Sequence, residues 1–191
     1  MSILVLTSDT LIGTPATGNL EYNGQFFGTD SNASRAQLQR ITLGTAVSPT
    51  TSTTINYTDL PAWVKKITVI FSVINTNGSS PIQIQLGTVS GFETTGYTGC
   101  CSVDNSTTGF RVVQAAQISS ATTQSGSVII NNLTGNTWTE FGVLNRSDGT
   151  AGNSISGFAK TLSGTLTQLR ITTVNGTDLL RAGSVNILIE G

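Results

Sequence analysis

The chain has no histidine. That removes Ser-His-Asp and Cys-His nucleophile arrangements together with the usual zinc sites. The only cysteines, Cys100 and Cys101, are adjacent. A vicinal disulfide closes a strained ring, so both are expected as free thiols, and two thiolates alone do not complete a zinc site. Charged residues make up 10% of the chain, against ~25% in ordinary soluble domains. Lys and Arg total 9 and are scattered, so no basic patch for nucleic acid can be read. No run approaches the roughly 18 apolar residues of a membrane-spanning helix. Met1–Leu6 lacks the basic flank and long apolar region of a secretory signal. There is no Gly-rich phosphate loop, and Asn145–Gly149 lacks the alternating Asp spacing of a calcium loop. No cofactor and no metal are expected.

The hydrophobic fraction is 37% and the formal charge −1. Disorder needs the opposite combination, low hydrophobicity with high charge. Ser, Thr, Asn and Gly stand where charges are missing, as in β-proteins with large neutral surfaces or intersubunit contacts. Such a surface suits hydrogen bonding to sugars or to another copy of the chain. The apolar residues alternate, which is the signature of half-buried strands. Asp59–Gly87 is the clearest case: Ile67, Val69, Phe71 and Val73 on one face, then Asn77-Gly78, then Ile82, Ile84 and Leu86. Asn-Gly between two such runs predicts one β-hairpin.

Further strands are expected at Leu20–Phe27 (around Asn23-Gly24), Thr53–Tyr57, Gly91–Tyr97 and Phe110–Ala115. A hairpin is expected from Ser127–Leu133 and Trp138–Leu144 across Gly135-Asn136. Ile155–Leu162 and Thr165–Thr173 are expected to pair across Ser163-Gly164, and Ser184–Glu190 closes the chain. Ile3, Val5 and Leu11 suggest one more short strand. Gly99–Gly109 and Asn145–Asn153 read as loops; no helix pattern of useful length appears, and Ala33–Arg40, the best candidate, reads equally as loop. About nine to eleven strands at roughly 8–12-residue spacing predict an all-β, antiparallel, jelly-roll-like β-sandwich over residues 41–191, preceded by a short β attachment segment over 1–40.

Three motifs carry a resemblance. The first is Pro15-Ala16-Thr17-Gly18 with Leu20-Glu21-Tyr22-Asn23-Gly24, an aromatic pair and a polar turn with Arg35. The second is Leu60-Pro61-Ala62-Trp63-Val64-Lys65-Lys66-Ile67-Thr68-Val69, continued by Thr76-Asn77-Gly78, Gln85-Leu86-Gly87 and Glu93-Thr94-Thr95-Gly96-Tyr97. The third is Leu162-Ser163-Gly164-Thr165-Leu166 with Leu169–Asp178 and Ala182–Leu188. Together they resemble the distal domains of bacteriophage tail-fibre and receptor-binding proteins. The resemblance implies a homotrimer in the virion, synthesised in the host cytoplasm and placed on the tail rather than the capsid. The N-terminal segment, through Leu20, Tyr22, Phe26 and Phe27, would attach it to another virion protein and wrap three chains together.

The partner at the far end would be a host surface glycan or outer-membrane protein. Loop positions Tyr97, Asp104, Asn105, Asn145, Arg146 and Asp148 are the candidates to face it, with Tyr97 weighed as a stacking platform against core packing. Trp63 is expected as a plug at one end of the sandwich. Glu93 and Glu140 are the carboxylates whose expected strands allow them to meet as a glycosidase pair; solvated strand-face carboxylates are the ordinary alternative, and no enzyme activity is expected. The same features suit a capsid decoration or head-fibre protein, or a monomeric carbohydrate-binding module.

Overall fold

The computed structural model describes residues 19–22, 26–29, 32 and 34–191. The expected strand at Ile3–Leu11, the Asn23-Gly24 turn and the motif at Pro15–Gly18 lie outside them. The chain forms two compact units, Met1–Arg40 and Ile41–Gly191. In the first, β1 (Leu20–Tyr22), β2 (Phe26–Thr29) and β3 (Arg35–Gln37) make an antiparallel sheet in the order β1-β2-β3. Within the candidate helix or loop at Ala33–Arg40, Arg35–Gln37 form a strand instead: these three residues find a hydrogen-bonding neighbour in β2, and a segment this short does not nucleate an isolated helix. The Tyr22 and Phe26 rings meet at a 43° tilt with centroids 5.0 Å apart. Leu20, Phe26 and Leu38 remain exposed.

The second unit is an antiparallel β-sandwich. Its strands are β4 (Ile41–Leu43), β5 (Thr54–Tyr57), β6 (Lys66–Thr76), β7 (Ile82–Thr88), β8 (Gly91–Phe92), β9 (Tyr97–Cys101), β10 (Asp104–Asn105), β11 (Phe110–Arg111), β12 (Gln124–Thr134), β13 (Thr137–Arg146), β14 (Asn153–Thr161), β15 (Gln168–Thr173), β16 (Leu180–Arg181) and β17 (Ser184–Glu190). A single 3-10 turn, Ala115–Gln117, is the only helical element among the described residues. The large sheet runs β10-β9-β14-β13-β12-β6-β17-β4, with β16 joined to β6. The small sheet runs β11-β7-β15-β5, with β8 joined to β7. One apolar core lies between them. Ile67, Val69, Phe71, Val128, Ile130, Leu144 and Val185 enter from the large sheet, and Ile55, Ile82, Ile84, Leu86, Leu169 and Ile171 from the small one. Trp63 packs half-buried against this core.

The expected hairpin at Asp59–Gly87 is instead an arch between sheets. β6 pairs with β12 and β17, whereas β7 pairs with β15 and β11. Neither Asn77 nor Gly78 has the positive φ that a tight hairpin turn demands. The Asn77 side chain instead accepts the Leu179 N–H at 2.7 Å, and Asp178 accepts the Ser80 N–H at 2.9 Å. The turn is thus tied to the segment before β16. Alternation put both apolar sets on inward faces, and two such strands bury those faces equally well by opposing each other across a core. The pairing expected across Ser163-Gly164 fails for the same reason: β14 belongs to the large sheet and β15 to the small one. The β12–β13 hairpin does form across Gly135-Asn136, with Gly135 at φ 51°.

Two local devices were missed. Ser72 and Val73 of β6 together oppose Ser125 of β12, since Ile74 pairs with Gln124 and Phe71 with Gly126. Val73 has φ 55° and donates its N–H to the Ser125 hydroxyl at 2.8 Å. This bulge turns Val73 outward, 44% exposed, and puts Ile74 wholly in the core. The second device is in Gly99–Gly109, expected as a loop. β9 runs through Gly99–Cys101 and returns as β10, with Cys101 paired to Asp104 and Ser102 at φ 55° in the turn.

Candidate functional site

The outward positions of β7 and β15 are polar and their side chains interlock. The register sets Gln83, Thr172 and Thr54 in one cross-strand row, and Gln85, Arg170 and Asn56 in the next outward row. Gln85 donates from Nε2 to the Thr108 carbonyl at 2.7 Å, and its Oε1 accepts Arg170 Nε at 2.6 Å. Gln83 Oε1 accepts the Thr108 hydroxyl at 3.0 Å. The Arg170 guanidinium lies over the Phe92 ring, 4.6 Å from its centroid, a favourable cation–π placement. Gln83, Gln85, Arg170 and Thr172 line a groove of about 360 Å³ together with Thr94, Thr108 and Val174–Gly176. Its lining is mostly hydroxyls and amides, with one guanidinium and Val174. Every amide is held by a partner, so these side chains are fixed in place.

The outer face of the large sheet is built oppositely. One cross-strand row runs Cys100, Gly157, Phe141, Ile129, Thr68, Leu188 and Leu43. The next runs Ile155, Val143, Ser127, Ile70 and Asn186. Phe141 is 57% and Leu43 62% exposed, and Ile155, Ile70 and Val73 are exposed as well. In the row beyond, Lys66 and Glu190 pair with each other at 2.7 Å. The face is therefore broad, apolar and self-neutralised, the character of a surface that another protein covers.

No family model, curated protein or solved structure matches this chain.

Of the positions expected to face a receptor, Tyr97 does not. It is 1% exposed, and its hydroxyl accepts the Leu86 N–H at 2.7 Å and donates to the Glu93 carbonyl at 3.0 Å. Its ring meets Phe110 edge-on, centroids 5.0 Å apart, and burial drives its hydroxyl pKa up. An aromatic at the start of a strand fits core and platform equally; alternation with Gly99 and Cys101 settles it inward. Asp104 is tied down, accepting the Ala115 N–H at 2.6 Å and facing Arg111 at 3.5 Å. Asn105 and Asn145 are exposed. Arg146 and Asp148 pair at 2.9 Å, and this contact, with the Thr150 N–H, holds Asp148 below the usual carboxylate range. Asn145 and Arg146 line a second open hollow with Gly152 and Asn153. In the N-terminal unit Leu20 and Phe26 are exposed and Tyr22 and Phe27 half-buried.

Each of the two singled-out carboxylates has its own partners. Glu93 pairs with buried Lys160 at 2.6 Å and accepts the Ser163 N–H and hydroxyl at 2.8 and 2.7 Å. Partial burial alone would raise its pKa; these bonds outweigh that and hold it low. Glu140 points into the core and accepts the Ser156 hydroxyl at 2.6 Å. Burial pushes its carboxyl up to about 7, against a lowering by Ser156, and its other oxygen has no hydrogen-bond partner. Cys101, also buried, is pushed up to about 12 by burial and by Glu140 and Asp104.

The groove was not foreseen. Gln83, Gln85 and Arg170 read in the sequence only as the polar half of an alternation. The available signal was that two Gln and one Arg occupy successive outward positions on strands that also carry long apolar sets.

Proposed function

We propose that this chain is a bacteriophage virion appendage, a tail-fibre or receptor-binding tip that attaches to the host surface as a homotrimer and binds without turnover. The observation that carries the reading is the contrast between the two outer faces of the sandwich. A broad face with two mostly apolar rows and a self-neutralised ion pair suits burial against further copies of the chain, and a hydrogen-bonded polar groove on the opposite sheet suits a glycan. Three copies with their large sheets turned inward close a triangular prism, each face meeting parts of both neighbours, which is a closed cyclic arrangement. The exposed Leu20 and Phe26 of the N-terminal unit supply an apolar contact for another virion protein. The tail-fibre resemblance of the sequence motifs supports the same assignment.

The test uses the full chain and an antibody against it. On this reading the antibody labels the distal tail of intact particles, and the isolated chain blocks their adsorption to host cells. Label on the capsid with no effect on adsorption would overturn it in favour of a decoration protein.

A further inference from the structure

We infer that the groove on the small sheet takes a saccharide unit bearing a carboxylate, of the uronic or sialic acid kind, with Arg170 as its anchor. This rests on reading the groove as a host-glycan site. Among the described residues the ion pairs are Lys66–Glu190, Arg111–Asp104, Arg146–Asp148 and Lys160–Glu93. Arg170 belongs to none of them. Its Nε is committed to Gln85, and its two terminal nitrogens donate to nothing among the described residues. The acidic groups on flanking segments are engaged elsewhere: Glu93 by Lys160 and Ser163, and Asp178 by Asn175 and Ser80. A guanidinium in a groove, fixed through one nitrogen and resting on Phe92, presents its remaining fork to the ligand. That fork matches the two oxygens of a carboxylate.

Charge and shape narrow the class. The groove holds one cation and no anion among its lining residues, so a monoanion balances it and a phosphate dianion does not. Around Arg170 the lining is neutral hydroxyl: Thr54, Thr94 and Thr172. Thr172 gives its own proton to the Thr53 carbonyl, leaving its oxygen to accept from a sugar hydroxyl. Val174 offers an apolar contact for a ring face. At about 360 Å³ the groove lies at the small end of ligand sites, enough for one or two sugar units.

The experiment titrates the full chain with glucuronic acid and with N-acetylneuraminic acid, using glucose and sodium sulfate as controls, read by calorimetry or amide shifts. One of the two acids is expected to bind at least ~tenfold more tightly than glucose, and which one binds identifies the source. Arg170→Gln is expected to lose that preference with an unchanged melting temperature. Gln85→Glu supplies a second, near-isosteric variant: its carboxylate occupies Arg170 internally and is expected to lower acid-sugar affinity by the same factor. Equal binding of glucose, displacement by sulfate at equal affinity, or full binding by Arg170→Gln would overturn the inference while leaving the glycan reading in place. If no saccharide binds yet the chain still blocks adsorption, the inference falls and the receptor reading stands. If the chain neither binds sugar nor blocks adsorption, both fall.

Discussion

On the small sheet the outward positions of β7 and β15 hold Gln83, Gln85, Arg170 and Thr172; on the large sheet the outward positions of β12, β13 and β14 hold Ile129, Phe141, Val143 and Ile155. The polar set is the better covered of the two. Gln83, Gln85 and Thr172 are buried beneath neighbouring loop segments, while Phe141 and Ile155 are exposed. Burying a polar group is tolerable when it is hydrogen-bonded, and these are. Exposing a large apolar side chain forgoes about 1.5–3 kcal/mol each. A sequence that satisfies its amides and leaves its apolar side chains in solvent has placed the latter for contact with something else. On the proposed reading the two faces also differ in purpose: one takes a small ligand, and the other is covered by further copies of the chain.

Four perturbations break or sharpen this contrast. The largest effect is expected from Phe141→Lys, at the middle of the apolar face. On the proposed trimer reading, three like charges meet in the covered face, and sedimentation is expected to show single chains, while the melting temperature of the chain itself changes little. Next is Lys160→Met, which strikes the interior that both faces depend on. Lys160 is 7% and the Glu93 side chain 20% exposed, so removing one partner leaves a largely desolvated charge and costs about 3 kcal/mol in denaturant unfolding. The Glu93 contribution, present above its unfolded pKa and lost as pH falls, shrinks with it, the Ser163 bonds remaining in place.

Glu140→Gln is expected to act in the opposite direction. The carboxyl is raised from 4.5 to about 7 in the fold. The folded state therefore holds a proton that the unfolded state releases, and this contribution is complete below about pH 4.5 and gone above about pH 7. Gln keeps the acceptor for Ser156 and carries no charge. It should stabilise the chain at pH 8 by about 3 kcal/mol, do nothing at pH 4, and flatten the decline between, as unfolding midpoints across that range will record. The smallest effect separates the two thiols. Cys100 is exposed in the same row as Phe141, whereas Cys101 is buried. One thiol per chain should react in the folded Phe141→Lys protein, and that reaction should slow in the wild-type assembly.

The inward half of this fold was readable because alternation has a physical cause: successive strand side chains point to opposite faces. Ile67, Val69, Phe71, Ile82, Ile84 and Leu86 were all placed correctly on that basis. Which strand lies beside which was not readable, because the same inward set serves a hairpin and an arch. Asn77-Gly78 misled for this reason, and only the tie to Asp178 and Leu179 decides it. Val73 and Ile74 exchanged places because one bulge shifts the phase by a residue. The groove stayed hidden because its parts are distant in sequence: Gln85, Thr108 and Arg170 meet only through the sheet. Tyr97 stands beside an apparent loop in the sequence yet anchors the core, against Phe110 and the Leu86 and Glu93 backbone.

The most direct test of the contrast is the solution mass of the wild-type chain by light scattering at two concentrations. The account predicts three chains, unchanged on dilution, with the large-sheet faces buried together. A single chain at both concentrations would contradict it and leave the apolar face without the partner assigned to it here.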